Sequence, residues 1–213
     1  MADASSVLQV SPVIPVVTID DPQHAVPVAR ALASGGIRII ELTLRTESAL
    51  TSLKLIANEV PDILVGAGTI LTPAQADAAV AAGAQFLVSP GGTPFLLDHM
   101  LTLNVPVLPG VATVGEVMAV LERGLEAMKF FPAGPAGGPA YLAAIGAPIP
   151  QVLFCPTGGV SLATAPDYLK LPNVSCVGGS WLTPRSVVEG NDWQQITELA
   201  QQAAGLGAAA EVS

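Results

Sequence analysis

The sequence predicts an α/β fold, a (β/α)8 TIM barrel built as a single domain over residues 1–213. Three observations carry that expectation. A strand-like run followed by a helix-like run recurs roughly every 20–25 residues, the rhythm of βα units. The strand-like runs are short and continuously apolar, as in strands covered on both faces. No linker or low-complexity block divides the chain. A doubly wound open sheet is the alternative architecture.

The strand-like runs, in order, are Val13–Ile19, Ile37–Leu44, Ile63–Thr69, Gln85–Pro90, Val105–Val111, Met128–Pro132, Val152–Thr157 and Val174–Ser180. Between them lie alanine-rich amphipathic stretches, among them Pro22–Ser34, Glu47–Val60, Pro73–Ala82, Val114–Gly124 and Trp193–Ala204. Thr72-Pro73 supplies an N-cap and a proline at the first helical position. Gly35-Gly36, Gly83 and Gly124 stand where helices should stop. Residues 3–10 are expected to form a short N-terminal helix closing the bottom of the barrel. Several strand-like runs end in Gly, Thr, Ser or Pro, where a barrel places its active-site loops.

Composition narrows the function. Hydrophobic residues make up 51% of the chain and charged residues only 12%, with a mean hydropathy of +0.58. The stretch from Phe130 to Pro166 carries no charge, but glycines and prolines break it throughout. A spanning helix needs about 20 apolar residues in unbroken helix, so no membrane span is expected. The N-terminus lacks the positive region of a secretory signal. A soluble, cytoplasmic protein is the expectation. Net charge is −9 with no basic cluster, which disfavours nucleic acid as a partner. An anionic substrate would have to be held by a few local groups: an arginine, backbone N–H groups or helix N-termini. Two histidines, His24 and His99, are too few for a three-His zinc site. Cys155 and Cys176 lie in apolar runs without metal-binding spacing and read as buried core.

Lys129 is the most informative residue. It sits in the apolar run Met128-Lys129-Phe130-Phe131-Pro132, whereas the other two lysines, Lys54 and Lys170, lie in helix-like segments that can reach water. A lysine among apolar neighbours loses hydration of its ammonium form, and a neutral amine can form a Schiff base with a carbonyl substrate. The bland alternative is a lysine snorkelling from a strand end. Alternation along the strand puts Phe131 inward with Lys129 and turns Phe130 toward the helices. Glu41, Thr43 and Arg45 share one face of the second strand. Glu41 is another charge in an apolar strand. It pairs with Lys129 as acid/base and nucleophile, or it belongs to a structural ion pair in which Arg45 could be the partner.

Three strand ends are glycine-rich: Gly66-Ala67-Gly68-Thr69, Thr157-Gly158-Gly159-Val160-Ser161 and Gly178-Gly179-Ser180. The last two close the seventh and eighth strands, whose loops hold phosphate in many barrels. Glycine there lets backbone N–H groups approach phosphate oxygens, and Ser180 adds a hydroxyl. Plain turn formation is the competing explanation. The first lacks the full dinucleotide-binding pattern.

Taken with Ser89-Pro90-Gly91, Lys129-Phe130-Phe131-Pro132-Ala133, Cys155-Pro156-Thr157-Gly158-Gly159, Glu41-Leu42-Thr43-Leu44-Arg45-Thr46 and Gly178-Gly179-Ser180-Trp181, the chain resembles the bacterial 2-keto-3-deoxy-6-phosphogluconate (KDPG) aldolase and 4-hydroxy-2-oxoglutarate aldolase family. The match runs in order from Pro12 to Gln202. The resemblance implies a homotrimeric class I aldolase on a (β/α)8 barrel. It would cleave KDPG to pyruvate and D-glyceraldehyde 3-phosphate in the Entner–Doudoroff pathway, act also on 4-hydroxy-2-oxoglutarate, and need no metal or cofactor. It implies that Lys129 is the Schiff-base lysine and Glu41 the general acid/base. Arg45 and Thr69 would hold the pyruvyl carboxylate beside Pro90 and Phe131, and Thr157 would contact the hydroxylated chain. Gly158, Gly159, Gly179 and Ser180 would bind phosphate.

A sister family acts on the phosphogalactonate epimer, with proline and asparagine near positions 43 and 45 and valine at 157. Thr43, Arg45 and Thr157 favour the gluconate enzyme here. Gly92 and Gly134-Pro135 depart from the family pattern and bear on the mouth of the site. Two readings of other classes compete: a phosphate-binding barrel that isomerises or condenses without a Schiff base, and a non-catalytic oligomeric scaffold derived from an aldolase.

Overall fold

The computed structural model describes residues 4–210, with side chains described as far as Gly207. The apolar runs fold into short parallel strands: β1 Val13–Val17, β2 Ile39–Thr43, β3 Leu64–Gly68, β4 Leu87–Val88, β5 Val107–Leu108, β6 Gly110–Val111, β7 Ala127–Phe130, β8 Leu153–Pro156 and β9 Val177–Gly179. Around them lie α1 Ser5–Leu8, α2 Ala25–Ser34, α3 Ala49–Glu59, α4 Pro73–Ala81, α5 Pro94–Met100, α6 Val114–Leu121, α7 Gly138–Gly146, α8 Ala165–Leu169, α9 Arg185–Glu189 and α10 Trp193–Ala210.

Six strands form a curled parallel sheet in the order β5-β4-β3-β2-β1-β9, and β6-β7-β8 form a second, three-stranded piece. The expected fifth strand is the reason for the division. Pro109 has no N–H to give a ladder, and it splits the run into β5, which pairs with β4, and β6, which pairs with β7. On the far side, isolated parallel bridges Phe154↔Val174 and Thr157↔Gly178 join β8 to the segment that enters β9. The α/β class and the parallel sheet agree with the sequence.

Register positions the inward-facing groups. Glu41 on β2 is level with Val16 of β1 and Gly66 of β3. Lys129 on β7 is level with Gly110 of β6 and Cys155 of β8. Phe130, its neighbour, is fully buried. It stacks on Tyr141 of α7 at 5.8 Å and meets Phe154 edge-on at 6.3 Å. It therefore faces the helices, as alternation requires.

Local chemistry explains the helix ends. Thr72 caps α4 in a capping box with Gln75, and Thr113 does the same for α6 with Glu116. Gly83 and Gly124 adopt φ of 103° and 76° just past α4 and α6, a region that β-carbons disfavour. The expected Pro22–Ser34 helix is a 3-10 turn over Pro22–His24 followed by α2. The expected Glu47–Val60 helix begins at Ala49, because Thr46 and Ser48 both donate to the Ile19 carbonyl and hold the loop on the end of β1. The last helix continues past Ala204 to Ala210. Of the expected 3–10 helix, Ser5–Leu8 forms and buries Val7 and Leu8, while residue 3 lies outside the described residues. Among the described residues, no helix is long and apolar enough to cross a membrane.

Candidate active site

The charged interior sits where β2 and β7 face each other. Lys129 is 6% exposed and Glu41 3%. The Lys129 Nζ donates to Glu41 Oε1 at 3.0 Å and to Oε2 at 3.3 Å. It also lies 5.6 Å from the centroid of the Phe131 ring. Two charges out of water are tolerated only when paired in good geometry, and this pair meets that condition. The sequence left two partners open for Glu41. The structure places Lys129 there and leaves Arg45 exposed in the loop after β2, with no ion pair recorded among the described residues.

Thr43, two residues beyond Glu41, is fully buried and donates to the Val17 carbonyl at 3.0 Å. Its hydroxyl then accepts from Thr18, 2.8 Å away. Thr18, Thr46 and Ser48 thus tie β1 to the segment that carries Arg45. In the sequence the only trace of this tether is a polar Thr18 inside the apolar run Val13–Ile19. Among the arginines, Arg30, Arg123 and Arg185 are paired with carboxylates, and Arg38 precedes β2 at the opposite end of the sheet. Arg45 is therefore the unpaired guanidinium at the strand C-terminal ends among the described residues.

Thr69 follows β3 with φ 62°, a left-handed conformation that a β-branched residue adopts only under constraint. It is half-buried, as are Pro90 and Phe131. The Pro90 carbonyl occupies the space where a Cβ on Gly110 would stand, which brings the end of β4 beside Lys129. Thr157 is 6% exposed and donates to the Cys155 carbonyl at 3.3 Å. Its hydroxyl lies in the space that a Cβ on Gly178 would fill.

The two glycine-rich ends lie side by side through the Thr157↔Gly178 bridge. Gly158 and Gly159 take φ of 94° and 78°, so their turn requires glycine whatever it binds. Ser180 is exposed next to them. Gly179 has a packing reason of its own: a Cβ there would meet the Trp181 indole, 2.6 Å from its Cη2.

Cys155 and Cys176 are buried, free thiols. The hydrogen bond with Cys155, followed by burial, pushes the Cys176 thiol well above its ordinary value. His24 packs on Trp193 and His99 pairs with Asp77 at 2.8 Å. Among the described residues, no three His, Cys, Asp or Glu side chains cluster to hold a metal ion.

A buried lysine–glutamate pair spanning the curled sheet and its three-stranded companion, with an arginine at the rim that is unpaired among the described residues, can be compared with known proteins. The family model for KDPG and KHG aldolases matches residues 4–199. The chain belongs to the KDPG and KHG aldolase family. It is 50% identical over 200 residues to a 2-dehydro-3-deoxy-phosphogluconate aldolase of Dickeya dadantii, covering 94% of each chain. It resembles the crystal structure of a KDPG aldolase from Legionella pneumophila, with pyruvate captured as a covalent carbinolamine intermediate. The TM-score is 0.93 at 47% identity, covering 95% of this chain and 98% of the other. It also resembles the KDPG aldolase of Zymomonas mobilis with 3-phosphoglycerate. There the TM-score is 0.92 at 44% identity, covering 96% of each chain. The curled sheet described above is the KDPG aldolase fold.

Proposed function

We propose that this chain is a class I aldolase that cleaves KDPG to pyruvate and D-glyceraldehyde 3-phosphate, and that it also acts on 4-hydroxy-2-oxoglutarate. The observation that carries the reading is the buried contact of 3.0 Å between Lys129 Nζ and Glu41 Oε1. A scaffold need not keep such a pair, and a reaction without a Schiff base does not need Lys129 as a nucleophile.

The mechanism follows from that contact. Glu41 takes a proton from Lys129, and the free amine attacks the C2 ketone. Glu41 returns protons as the carbinolamine loses water. The resulting iminium withdraws electrons from C3. Removal of the C4 hydroxyl proton by Glu41, directly or through water, then breaks the C3–C4 bond. The aldehyde product leaves, the enamine is protonated at C3, and hydrolysis frees pyruvate and the lysine. The iminium is the electron sink, so the reaction has no step that needs a metal.

The remaining assignments follow the same logic. Arg45 and Thr69 take the pyruvyl carboxylate, Arg45 as a two-pronged donor without a competing internal partner. Pro90 and Phe131 flank the pyruvyl group, and Thr157 meets the hydroxylated chain. Gly158, Gly159, Gly179 and Ser180 hold the phosphate. Thr43, Arg45 and Thr157 favour the gluconate over the galactonate epimer.

We also infer that the two sheet pieces form one (β/α)8 barrel and that residues 1–213 act as one domain. Only Pro109 separates β5 from β6, and the isolated bridges Phe154↔Val174 and Thr157↔Gly178 join the other seam. A homotrimer is supported by three exposed apolar side chains, Leu71 just before α4 at 57%, Phe95 at the start of α5 at 76% and Met118 within α6 at 54%. A phosphorylated substrate, which crosses membranes poorly, accords with a cytoplasmic site of action.

The test is trapping. Pyruvate with borohydride should inactivate the enzyme and modify Lys129 alone. Modification at the exposed Lys54 or Lys170, or full activity in Lys129→Ala, would overturn the mechanism.

A further inference from the structure

We infer that Gly68 is a positioning residue for catalysis, its missing side chain being the space that holds the Glu41 carboxylate on Lys129. The inference rests on the proposed role of Glu41 as proton shuttle.

Gly68 is the last residue of β3 and pairs in register with Thr43. Its backbone is not in the left-handed region, so conformational freedom does not explain glycine here. Space does. A Cβ built at Gly68 has as its three nearest atoms the Oε1, Cγ and Cδ of Glu41. Cγ would be 2.6 Å away, Cδ 2.7 Å, and Oε1 nearer still. Real β-carbons essentially never sit under 3.0 Å from another heavy atom.

Glu41 cannot yield cheaply. A clash with a terminal oxygen alone could be relieved by turning the carboxylate. A clash that includes Cγ requires a change of χ1, because Cγ is fixed by that torsion. Such a change carries the carboxylate away from the Nζ that now lies 3.0 and 3.3 Å from its two oxygens. Glu41 is also 3% exposed, with β1 and β3 on either side. The adjoining glycine behaves differently: a Cβ at Gly66 would meet only the Phe86 ring among its three nearest atoms. The two glycines of the Gly66-Ala67-Gly68-Thr69 motif therefore have separate duties, one in packing and one at the site.

The experiment is a double-mutant cycle, Gly68→Ala in the wild type and in Glu41→Ala, read by kcat, KM and the denaturant midpoint of unfolding. In the wild type, Gly68→Ala should lower kcat on the order of 10²-fold, the scale of a misplaced general acid/base, with little change in KM. It should also lower the midpoint. In Glu41→Ala the space is vacant, so adding Gly68→Ala should change neither kcat nor midpoint further. An equal midpoint loss in both backgrounds, or undiminished kcat in Gly68→Ala, overturns the inference. If Gly68→Ala does not fold, a folded Glu41→Ala/Gly68→Ala protein supports it, and failure of both Gly68→Ala proteins refutes it. Near-normal kcat in Glu41→Gln, with the midpoint coupling intact, would overturn the shuttle role and leave the steric dependence of Glu41 on Gly68 standing.

Discussion

Replacing Lys129 by methionine would separate the energetic role of the buried pair from its chemical one. The side chains are 7% and 5% exposed, so solvent screens the pair little. At 3.0 Å, two unit charges attract by about 5–6 kcal/mol at an effective dielectric of about 20. Desolvation of both ions costs several kcal/mol each, so the intact pair adds little net stability. Removing one partner is different, because the other charge stays buried alone. Lys129→Met should therefore lower the unfolding free energy by about 3–5 kcal/mol at neutral pH, a large share of the roughly 5–15 kcal/mol of a typical domain. The double variant Lys129→Met/Glu41→Leu keeps similar volume without charge, and should recover most of the loss or exceed wild type. Neither variant should cleave substrate. Guanidinium unfolding at neutral pH, with the aldolase assay alongside, measures all of this. Wild-type stability in Lys129→Met at neutral pH, or no recovery in the double variant, would refute the claim that each buried charge is tolerated only because the other compensates it.

Other outcomes follow from the rim and the surface. Arg45→Ala should raise KM for pyruvyl substrates by about 10–100-fold, the worth of a charge-assisted hydrogen bond. It should leave unfolding unchanged within about 0.5 kcal/mol, because Arg45 is exposed. Arg45→Lys should restore part of the binding, and an equal fall in kcat for both would argue against a carboxylate anchor. Ser180→Ala should raise KM for the phosphorylated substrate by about 10-fold or more while sparing proton exchange of pyruvate, since a hydrogen bond to a charged phosphate is worth about 1.5–3 kcal/mol. Equal damage to both reactions would make Ser180 structural. The carboxyl of Glu116 is held below its ordinary range, chiefly by the Ala112 N–H, with Thr113 helping and burial opposing. Its stabilisation is present above the unfolded carboxylate value and is lost as pH falls through the folded one. Glu116→Gln should remove that part of the acid-side loss, worth under about 1 kcal/mol at an exposed site, and an unchanged slope of melting temperature against pH would refute it.

Much of the fold was written locally. Continuous apolar runs gave the strands, and Thr72-Pro73 gave the start of α4, since a cap and a proline need only their own neighbours. The same Thr-Pro signal at Thr93-Pro94 starts α5, a helix of only seven residues whose periodicity is too short to stand out. The helix α7 was hidden in the charge-free stretch, where glycine and proline outweigh a nine-residue periodicity. Pro109 showed in the sequence, but its effect of dividing a strand between two partners depends on where β4 and β7 lie.

The sequence by itself determined which side chains could do chemistry. One lysine and one glutamate in apolar strands, an arginine of the same parity and two glycine-rich ends are properties of neighbours along the chain, and strand alternation translates them into a common interior. The tertiary structure decided which charges meet. Glu41 and Lys129 are 88 residues apart, and no local rule chooses Lys129 over the nearer Arg45. Tertiary packing does: β2 and β7 bring two of these groups together in the buried interior, while Arg45 lies beyond the end of its strand. Only packing in three dimensions showed that Gly68 is empty space kept for a carboxylate, because a missing side chain acquires meaning only from what occupies its place.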